Sequence, residues 1–384
     1  MSQTPDRILT THVGSLPRPH DLLDVLKARL EGQDIDEQEY QDKLSQTVEN
    51  MVQIQVDCGI DIVTDGEMSK PGHAVYIEER LDGYEPRPDH DFHFHKTERE
   101  CFHEYYDEYF ERAMLGGAIA PSVPLCCVGP IKYTGHEAIK IDIENLKKAA
   151  EKTGAKDVFM PCAAVTGVGF NEYYKTEEEY MFALAEAIAE EHHAIIEAGF
   201  FLQVDDPFMP HVFNDETLTE DEKDKKAHMY AEAINHSLRG IPEEKVRFHT
   251  CYGINQGPRV HEPELPRIID HVLKVNAGAY SFEAGNPRHE HEYHMWEDIK
   301  LPEGKKLIPG VITHATQTVE HPEYIAERII RFAERVGKEN VMAAPDCGFS
   351  SQAMYKTEIH PKIVWAKLTN MSKGAEIASE KLWG

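Results

Sequence analysis

Apolar and polar positions follow one repeated order along the chain. A charged amphipathic segment ends at a glycine, and a short apolar run comes next. Apolar residues three to four positions apart predict an α-helix, and glycine is a common residue just past a helix end. Four such segments end at Gly59, Gly199, Gly278 and Gly337. Short strands that alternate with long helices predict parallel βαβ units.

Eight apolar runs have the length and flanking turn residues of strands. They are TTHVGS (10–15), IDIVTDGE (60–67), VFMPCAAVTG (158–167), FLQVDDP (201–207), VRFHTCYG (246–253), AYSFEAG (279–285), KLIPGVITH (306–314) and VMAAPDCG (341–348). Eight strands in this rhythm predict an α/β fold of the (β/α)8 TIM-barrel type. A doubly wound open sheet is the alternative, but the sequence has no G-x-G-x-x-G segment to support it.

The stretch from about residue 70 to 135 interrupts this rhythm. It is rich in histidine, acidic and aromatic residues, and PLCCVGPIKYTG at 124–135 has the pattern of a hairpin or an extra strand. We interpret the stretch as an insertion after the second strand that crosses one mouth of the barrel. Because no long Gly/Ser/Pro-rich linker divides the chain, residues 1–384 are predicted to form a single domain.

Composition narrows the classes of function. The 384 residues carry a formal net charge of −28, which argues against nucleic acid and anionic membranes as partners, because phosphate binding needs clustered Lys and Arg. No run of about 18 apolar residues predicts a membrane span. The N-terminus lacks the pattern of a secretion signal, and the seven cysteines are widely spaced. We therefore expect reduced thiols and a cytoplasmic protein.

Side chains that can bind a metal lie at the ends of four successive predicted strands. His249 and Cys251 are two residues apart on one strand and so point to the same side. Glu283, His314 and Cys347 follow, each about one βα unit after the last. All should therefore reach the C-terminal rim, where barrel enzymes build their active sites.

A single His-x-Cys pair has a simpler interpretation, a packed histidine beside an inert buried thiol. The whole set is more specific, because thiolates, imidazole and carboxylate together suit Zn²⁺. Zinc holds a thiol as a nucleophilic thiolate at neutral pH. The upstream strand ends add Asp65, Glu67, Asp205 and Asp206. These acids are either helix caps and salt-bridge partners or part of a polar pocket.

With these motifs the chain resembles the catalytic half of the cobalamin-independent methionine synthase family. The motifs are HVGSLPRP, DGE, QVDDP, HTCYG, SFEAGNPR, GVITH and PDCGFS, in the family's order over nearly the whole chain. The resemblance implies a (β/α)8 barrel with one catalytic Zn²⁺ that moves a methyl group from a methylated folate to homocysteine. It implies zinc ligands at His249, Cys251, Glu283 and Cys347.

The same resemblance implies substrate-binding residues. Val13 and Ser15 would lie beside the amino-acid thiol, and Glu67 and Asp205 would bind its ammonium group. His314 would donate a proton during methyl transfer. The expected partners are a homocysteine-like thiol and a methyl or alkyl donor.

The sequence also departs from the longer family members, which carry a second barrel that helps shape the folate site. Asp206 stands where their motif usually has Glu, and the segment after Glu283 is richer in histidine and acids. These differences leave the donor open. Single-barrel relatives include methionine synthases with other methyl donors and epoxyalkane:coenzyme M transferases, which add a zinc-bound thiolate to an epoxide. A metal-free decarboxylase-like barrel and a zinc-binding accessory protein are more distant alternatives.

Two histidine-rich stretches lie outside these assignments. His90, His93 and His95 would form either a second metal site or a solvated lid. The segment after Glu283, which includes Arg288, would supply either pocket residues or a surface loop.

Overall fold

A parallel barrel forms the body of the protein. The structure, a computed structural model, describes residues 6–73, 75–90, 95–120, 123–253 and 256–384. With strands numbered along the chain, the barrel strands are β1 (Leu9–Thr10), β2 (Ile62–Val63), β5 (Asp157–Ala163), β7 (Phe201–Asp206), β8 (Val246–Thr250), β9 (Ala279–Phe282), β10 (Lys306–Ile312) and β11 (Met342–Pro345). Their spatial order is β1-β11-β10-β9-β8-β7-β5-β2, and every pair is parallel.

The two edge strands of this sheet approach each other. The backbone N–H of Asp61 donates to the carbonyl of Thr10 (3.1 Å), and the Thr11 hydroxyl donates to the carbonyl of Ile62 (3.1 Å). These bonds join β1 to β2 and nearly close the sheet. The predicted (β/α)8 barrel is confirmed at all eight strand positions, and the open-sheet alternative is wrong.

Long helices surround the barrel. They are α1 (His20–Leu30), α2 (Glu37–Asp57), α7 (His136–Thr153), α8 (Glu177–Glu197), α10 (Glu220–Ser237), α11 (Leu265–Val272), α12 (Pro322–Val336) and α13 (Pro361–Trp383). Each buries its apolar face; on α12 that face includes Ile325, Ile329 and Phe332. Spacings of three and four residues put these side chains on one side of the helix. None of the helices within the described ranges is long and apolar enough to cross a membrane.

A smaller sheet combines two strands from the segment between β2 and α7 with one strand that follows β5. Its strands β3 (Leu81–Pro86) and β4 (Leu125–Tyr133) are antiparallel, and β6 (Phe170–Asn171) adds to β4 in parallel. Short helices α3 (Val75–Glu78), α4 (Lys96–Cys101), α5 (His103–Arg112) and α6 (Met114–Gly117) join them, and α9 (Met209–Phe213) follows β7. Short 3-10 helices span Glu243–Lys245, Glu290–Glu297 and Lys338–Asn340. The strand predicted at 124–135 is β4.

The inserted helices contact the loops at the C-terminal end of the barrel. Glu98 on α4 accepts a hydrogen bond from the backbone N–H of His261 (2.9 Å), and the Tyr109 hydroxyl on α5 accepts one from the backbone N–H of Gln256 (3.4 Å). The backbone N–H of Ile119 donates to the carbonyl of Ala353 (2.8 Å). The inserted helices therefore contact the loops that follow β8 and β11.

Candidate active site

Strand register brings three polar residues to one level near the C-terminal end of the barrel. Asp205 of β7 pairs with His249 of β8, which pairs with Ser281 of β9. His249 Nδ1 lies 3.0 Å from the Ser281 hydroxyl. This contact fixes the plane of the imidazole and directs its other nitrogen, Nε2, away from Ser281.

His249 Nε2 is buried and has no hydrogen-bond partner among the described residues. Burial, with Arg247 and His73 nearby, lowers the pKa of His249 to about 3, so the imidazole is neutral. Leaving a buried polar atom unpaired costs roughly 1–3 kcal/mol, and such atoms are rare in proteins. A neutral imidazole nitrogen without a partner is the state in which histidine binds a metal.

Two thiols complete a group around this nitrogen. Cys251 and Cys347 are buried and pack against Val13, and a ring nitrogen of His249 and both sulfurs lie within 4.8 Å of one another. The pKa of Cys347 is raised well above its ordinary value by contact with Cys251, by burial and by the charge of Glu283. Two adjacent buried thiols ionise only if a cation joins them. One imidazole and two thiols are a donor set that fits Zn²⁺.

Glu283 follows β9 and is held by protein groups. Its carboxylate accepts hydrogen bonds from Arg259 Nη2 (2.7 Å), Asn286 Nδ2 (2.9 Å) and the backbone N–H of Tyr252 (3.3 Å). Burial and nearby Asp346 raise its pKa to about 7, although Arg259 opposes the shift. Glu283 does not share the 4.8 Å group of the histidine and the two cysteines; it groups with His314 and Asp346. The structure thus brings three of the four expected ligands together and places the fourth beside them.

His314 follows β10 and is also buried. Within the described part of the chain, neither of its ring nitrogens has a hydrogen-bond partner. Its pKa is lowered well below the ordinary value by burial, Arg259 and His249. The imidazole is therefore neutral, and both nitrogens are available to a ligand. Asp346 fixes the turn opposite, accepting hydrogen bonds from the backbone N–H groups of Ala284 (2.8 Å) and Gly285 (2.5 Å).

A second part of the site is acidic. Asp205 and Glu67 are both buried, and the pKa of Asp205 is raised well above its ordinary value by burial and by the charge of Glu67. Gln203 Nε2 donates to Asp205 (2.8 Å) and also to the carbonyl of Val13. Two carboxylates that repel each other in a buried place favour a bound cation between them.

The loop after β1 shapes this acidic part. Gly14 has a φ of +144°, and a Cβ there would lie 2.5 Å from Glu67 Oε1. A side chain at residue 14 would therefore push the acid away. The backbone of Ser15 accepts a hydrogen bond from the N–H of Phe349 (3.0 Å), and its hydroxyl accepts one from the N–H of Ser350 (3.4 Å). Val13 and Ser15 thus lie between the acidic pair and the loop of Cys347.

Comparisons with known proteins identify the family of the chain. The family profile described as cobalamin-independent synthase, catalytic domain, matches residues 8–92 and 124–376. The chain belongs to the cobalamin-independent methionine synthase family. A methionine synthase from Sulfolobus acidocaldarius is 27% identical over 97% of this chain and 93% of that one.

Solved structures support the same fold. A B12-independent methionine synthase from Shewanella sp. W3-18-1, in complex with selenomethionine, superposes with a TM-score of 0.73 at 20% identity, over 98% of this chain and 99% of that one. A putative vitamin-B12-independent methionine synthase from Listeria monocytogenes gives a TM-score of 0.66 at 20% identity over the same shares. Family membership classes the chain as a methyltransferase.

The internal part of the chain outside the family profile is residues 93–123, which include α4, α5 and α6. These helices supply Glu98 and Tyr109, which bind the backbone of the loop after β8. That loop carries Arg259, whose backbone has a left-handed φ of +56°. This inserted segment thus supports the loop that holds Glu283.

A large cavity opens between the insertion and the rim. Its volume is about 1200 Å³, and its walls include His73, His95, Thr166, Phe208, His211 and Arg259. Two of these residues connect it to the site: Arg259 binds Glu283, and His73 lies near enough to His249 to contribute to the lowered pKa of that imidazole. The cavity is larger than most small-molecule pockets.

Several residues of the site did not stand out in the sequence. Ser281, Asn286 and Asp346 orient His249 and Glu283, and Arg259 lies in a loop with no motif. A signal existed for Ser281, because it precedes Glu283 by two residues on one strand and so shares its side. Arg288, a candidate for a substrate carboxylate, is exposed and donates to the carbonyl of Val260 (3.2 Å).

The predicted histidine stretches separate in the structure. His289 is buried between Glu262 and Glu292 (3.0 Å each), and its ring stacks on Tyr252. Its neighbours His291 and His294 are exposed. His95 contacts His211, whereas His90 faces Cys126 on β4. His93 lies outside the described residues.

Proposed function

We propose that the chain is a zinc-dependent transferase that moves a methyl group to the thiol of homocysteine and so forms methionine. The observation that supports the proposal is the buried His249 Nε2, which has no hydrogen-bond partner among the described residues and lies beside the thiols of Cys251 and Cys347. A neutral imidazole nitrogen and two adjacent thiols are donors that suit a zinc site. Glu283 lies next to this group and is the candidate fourth ligand.

Zinc, when bound, supplies one function, since it holds an incoming thiol as a nucleophilic thiolate at neutral pH. The other steps fall to side chains of this chain. Glu67 and Asp205 receive the ammonium group of the amino acid, because the cation relieves the repulsion between their carboxylates. Val13 and Ser15 then border the short chain between the ammonium and the sulfur.

Methyl transfer from a donor to a thiol forms one S–C bond, breaks the bond between the methyl group and the donor, and releases the thiol proton. His314 is placed to carry that proton. Its imidazole is neutral and both nitrogens are free among the described residues, so it accepts a proton at one of them and passes it to the departing donor.

The methyl donor reaches the site through the cavity beside Arg259. A volume of about 1200 Å³ admits a methyl donor much larger than an amino acid. The aromatic ring of Phe208 and the imidazoles of His73 and His211 offer flat surfaces along that route.

Methionine formation tests the proposal. Purified zinc-loaded protein is incubated with homocysteine and, in parallel, with a methylated folate or with methylcobalamin, and methionine is measured by mass spectrometry. We expect methionine from at least one donor and none from Cys347→Ser. Absence of methionine with every donor, from protein shown to be folded and zinc-loaded, would overturn the methionine assignment.

A further inference from the structure

A second group of potential ligands lies on the smaller sheet. His90, Cys126 and Glu172 each offer one donor atom, and these atoms lie within 4.8 Å of one another. His90 Nδ1 is 3.6 Å from Cys126 Sγ. The group shares no residue with the site at the barrel rim, and the function proposed above does not use it.

The spacing of the sulfur and the nitrogen is that of two ligands on one zinc ion. Zn–S bonds of about 2.3 Å and Zn–N bonds of about 2.0 Å at a tetrahedral angle put the two donor atoms about 3.5 Å apart. The observed 3.6 Å between His90 Nδ1 and Cys126 Sγ agrees with that separation. A thiol and an imidazole nitrogen make only a weak hydrogen bond, so this contact gains little without a metal.

The backbone holds the three residues in place. Cys126 lies in β4, paired with Glu85 of β3 on one side and with Phe170 of β6 on the other. The backbone N–H of Glu172, just past β6, donates to β4 (3.0 Å). The ring of His90 packs edge-on against Phe170, with centroids 5.6 Å apart. Little rearrangement is needed to bind an ion.

The local charge also favours a divalent cation. Arg87 pairs with Glu172 Oε2 (3.2 Å) and with Glu85 (3.0 Å), so one positive charge faces two negative ones. Burial and Glu172 raise the pKa of Cys126, which keeps the thiol protonated in the absence of a cation. Arg87 carries one positive charge, and Glu85, Glu172 and the thiolate of Cys126 would carry three negative ones. A divalent ion that displaces the thiol proton therefore gives the group a net charge of zero. Arg87 uses Oε2, so the ion pair does not involve Oε1 of Glu172.

We propose that His90, Cys126 and Glu172 form a second zinc site, with water as the fourth ligand. The ion would join the turn after β3 to β4 and β6. Leu125 and Phe170 line the large cavity on this side, so the site would stiffen its outer wall. The site is independent of thiol chemistry at the rim.

Zinc binding by a protein without the rim thiols tests this inference. The double variant Cys251→Ser/Cys347→Ser is stripped of metal and titrated with Zn²⁺ against a chromophoric chelator of micromolar affinity. We expect one equivalent to bind. Adding Cys126→Ser or His90→Ala should abolish that binding, while Cys101→Ser, which removes an exposed thiol on α4, should leave it unchanged. Circular dichroism confirms that each variant is folded; His90→Ala changes an exposed side chain and serves if Cys126→Ser does not fold.

Cobalt substitution gives a second readout. With Co²⁺ in place of Zn²⁺, the double variant should show a near-ultraviolet thiolate-to-metal band that disappears in the triple variant with Cys126→Ser. No zinc bound to the double variant, or binding that survives both Cys126→Ser and His90→Ala, would overturn the second site. Failure of the rim site is distinguishable, because it would leave the wild type with one equivalent and Cys126→Ser alone with none.

Discussion

Arg259 Nη2 lies 2.7 Å from Glu283 Oε2, and both side chains are buried. The same guanidinium binds Glu262 (2.6 Å). This double ion pair holds the loop after β8 against the end of β9, and it holds Glu283 beside the histidine and the two cysteines rather than among them. The pair therefore links the inserted helices, which support the loop, to the chemistry of the rim.

Removing Arg259 should destabilise the protein strongly. Arg259→Gln leaves Glu283 without its cation and Glu262 with His289 as its remaining cationic partner, and breaking a buried ion pair on one side typically costs about 3–5 kcal/mol. Urea unfolding of metal-free protein measures the loss. Arg288→Gln is the matched control, because that exposed arginine should change the free energy of unfolding by less than about 0.5 kcal/mol. Equal losses in both variants would show that the ion pair does not stabilise the loop.

Glu283 should make the metal-free protein less stable as the pH rises. Its pKa is about 7 in the folded state and near 4.5 when unfolded, so between these values the folded state retains a proton that the unfolded chain has lost. The free energy of unfolding should therefore fall by about 3 kcal/mol between pH 4.5 and 7 because of this group.

The variant Glu283→Gln tests this pH dependence, since it cannot titrate. Its unfolding free energy should fall less steeply than that of the wild type over the same range, whatever its absolute stability. Glu264→Gln, at an exposed position, should keep the wild-type slope. Identical slopes for the wild type and Glu283→Gln would contradict the raised pKa.

The Ser281 hydroxyl should control metal affinity through His249. Ser281→Ala removes the contact that orients the imidazole, and losses of this kind usually weaken metal binding by about 10–100-fold. Chelator competition on protein that also carries Cys126→Ser measures the rim site without the second site. Ser45→Ala on α2 is the control and should bind zinc as the wild type does. Unchanged affinity in Ser281→Ala would mean that His249 does not need this support or is not a ligand.

Asp205 should select for the amino group of the substrate. Asp205→Asn removes one of two carboxylates facing the ammonium and should weaken homocysteine binding by at least about tenfold. Binding of 4-mercaptobutanoate, which is homocysteine without its amino group, should change little. Calorimetry with both thiols checks this. If Asp205→Asn weakens the binding of both thiols equally, the variant has a general structural defect and Asp205 does not bind the ammonium group.

His314→Ala should lower the rate of methionine formation by about 10²–10⁴-fold and leave zinc content unchanged. The exposed His291→Ala should keep full activity. Because burial keeps His314 neutral, its own titration should not appear in the rate profile near neutral pH. Loss of zinc together with activity in His314→Ala would indicate that His314 binds the metal and does not transfer the proton.

The barrel could be predicted from the sequence because its strands and helices repeat in a regular order along the chain. Apolar runs separated by glycine-terminated helices locate all eight strands, and parallel strands must deliver their C-terminal residues to one rim. The sequence alone therefore predicts that His249, Cys251 and Cys347 lie close together, since the two-residue alternation of a strand fixes the side on which each side chain lies.

Loop geometry was not predictable in the same way. Glu283 is held by Arg259, which lies in a loop without periodicity and has an unusual left-handed backbone, so nothing in the local sequence indicates their contact. The group of His90, Cys126 and Glu172 depends on the pairing of β4 with β6, and β6 is two residues long. Such a short strand leaves no pattern that sequence periodicity can detect.

Zinc-edge X-ray absorption with and without homocysteine tests the central claim most directly. The protein carries Cys126→Ser, so that zinc binds at the rim alone, and it is loaded with one equivalent. We predict two sulfur ligands and one imidazole without substrate, and a third sulfur at about 2.3 Å when homocysteine is added. A sulfur count that does not rise with homocysteine, or a first shell without two protein sulfurs, would contradict the account.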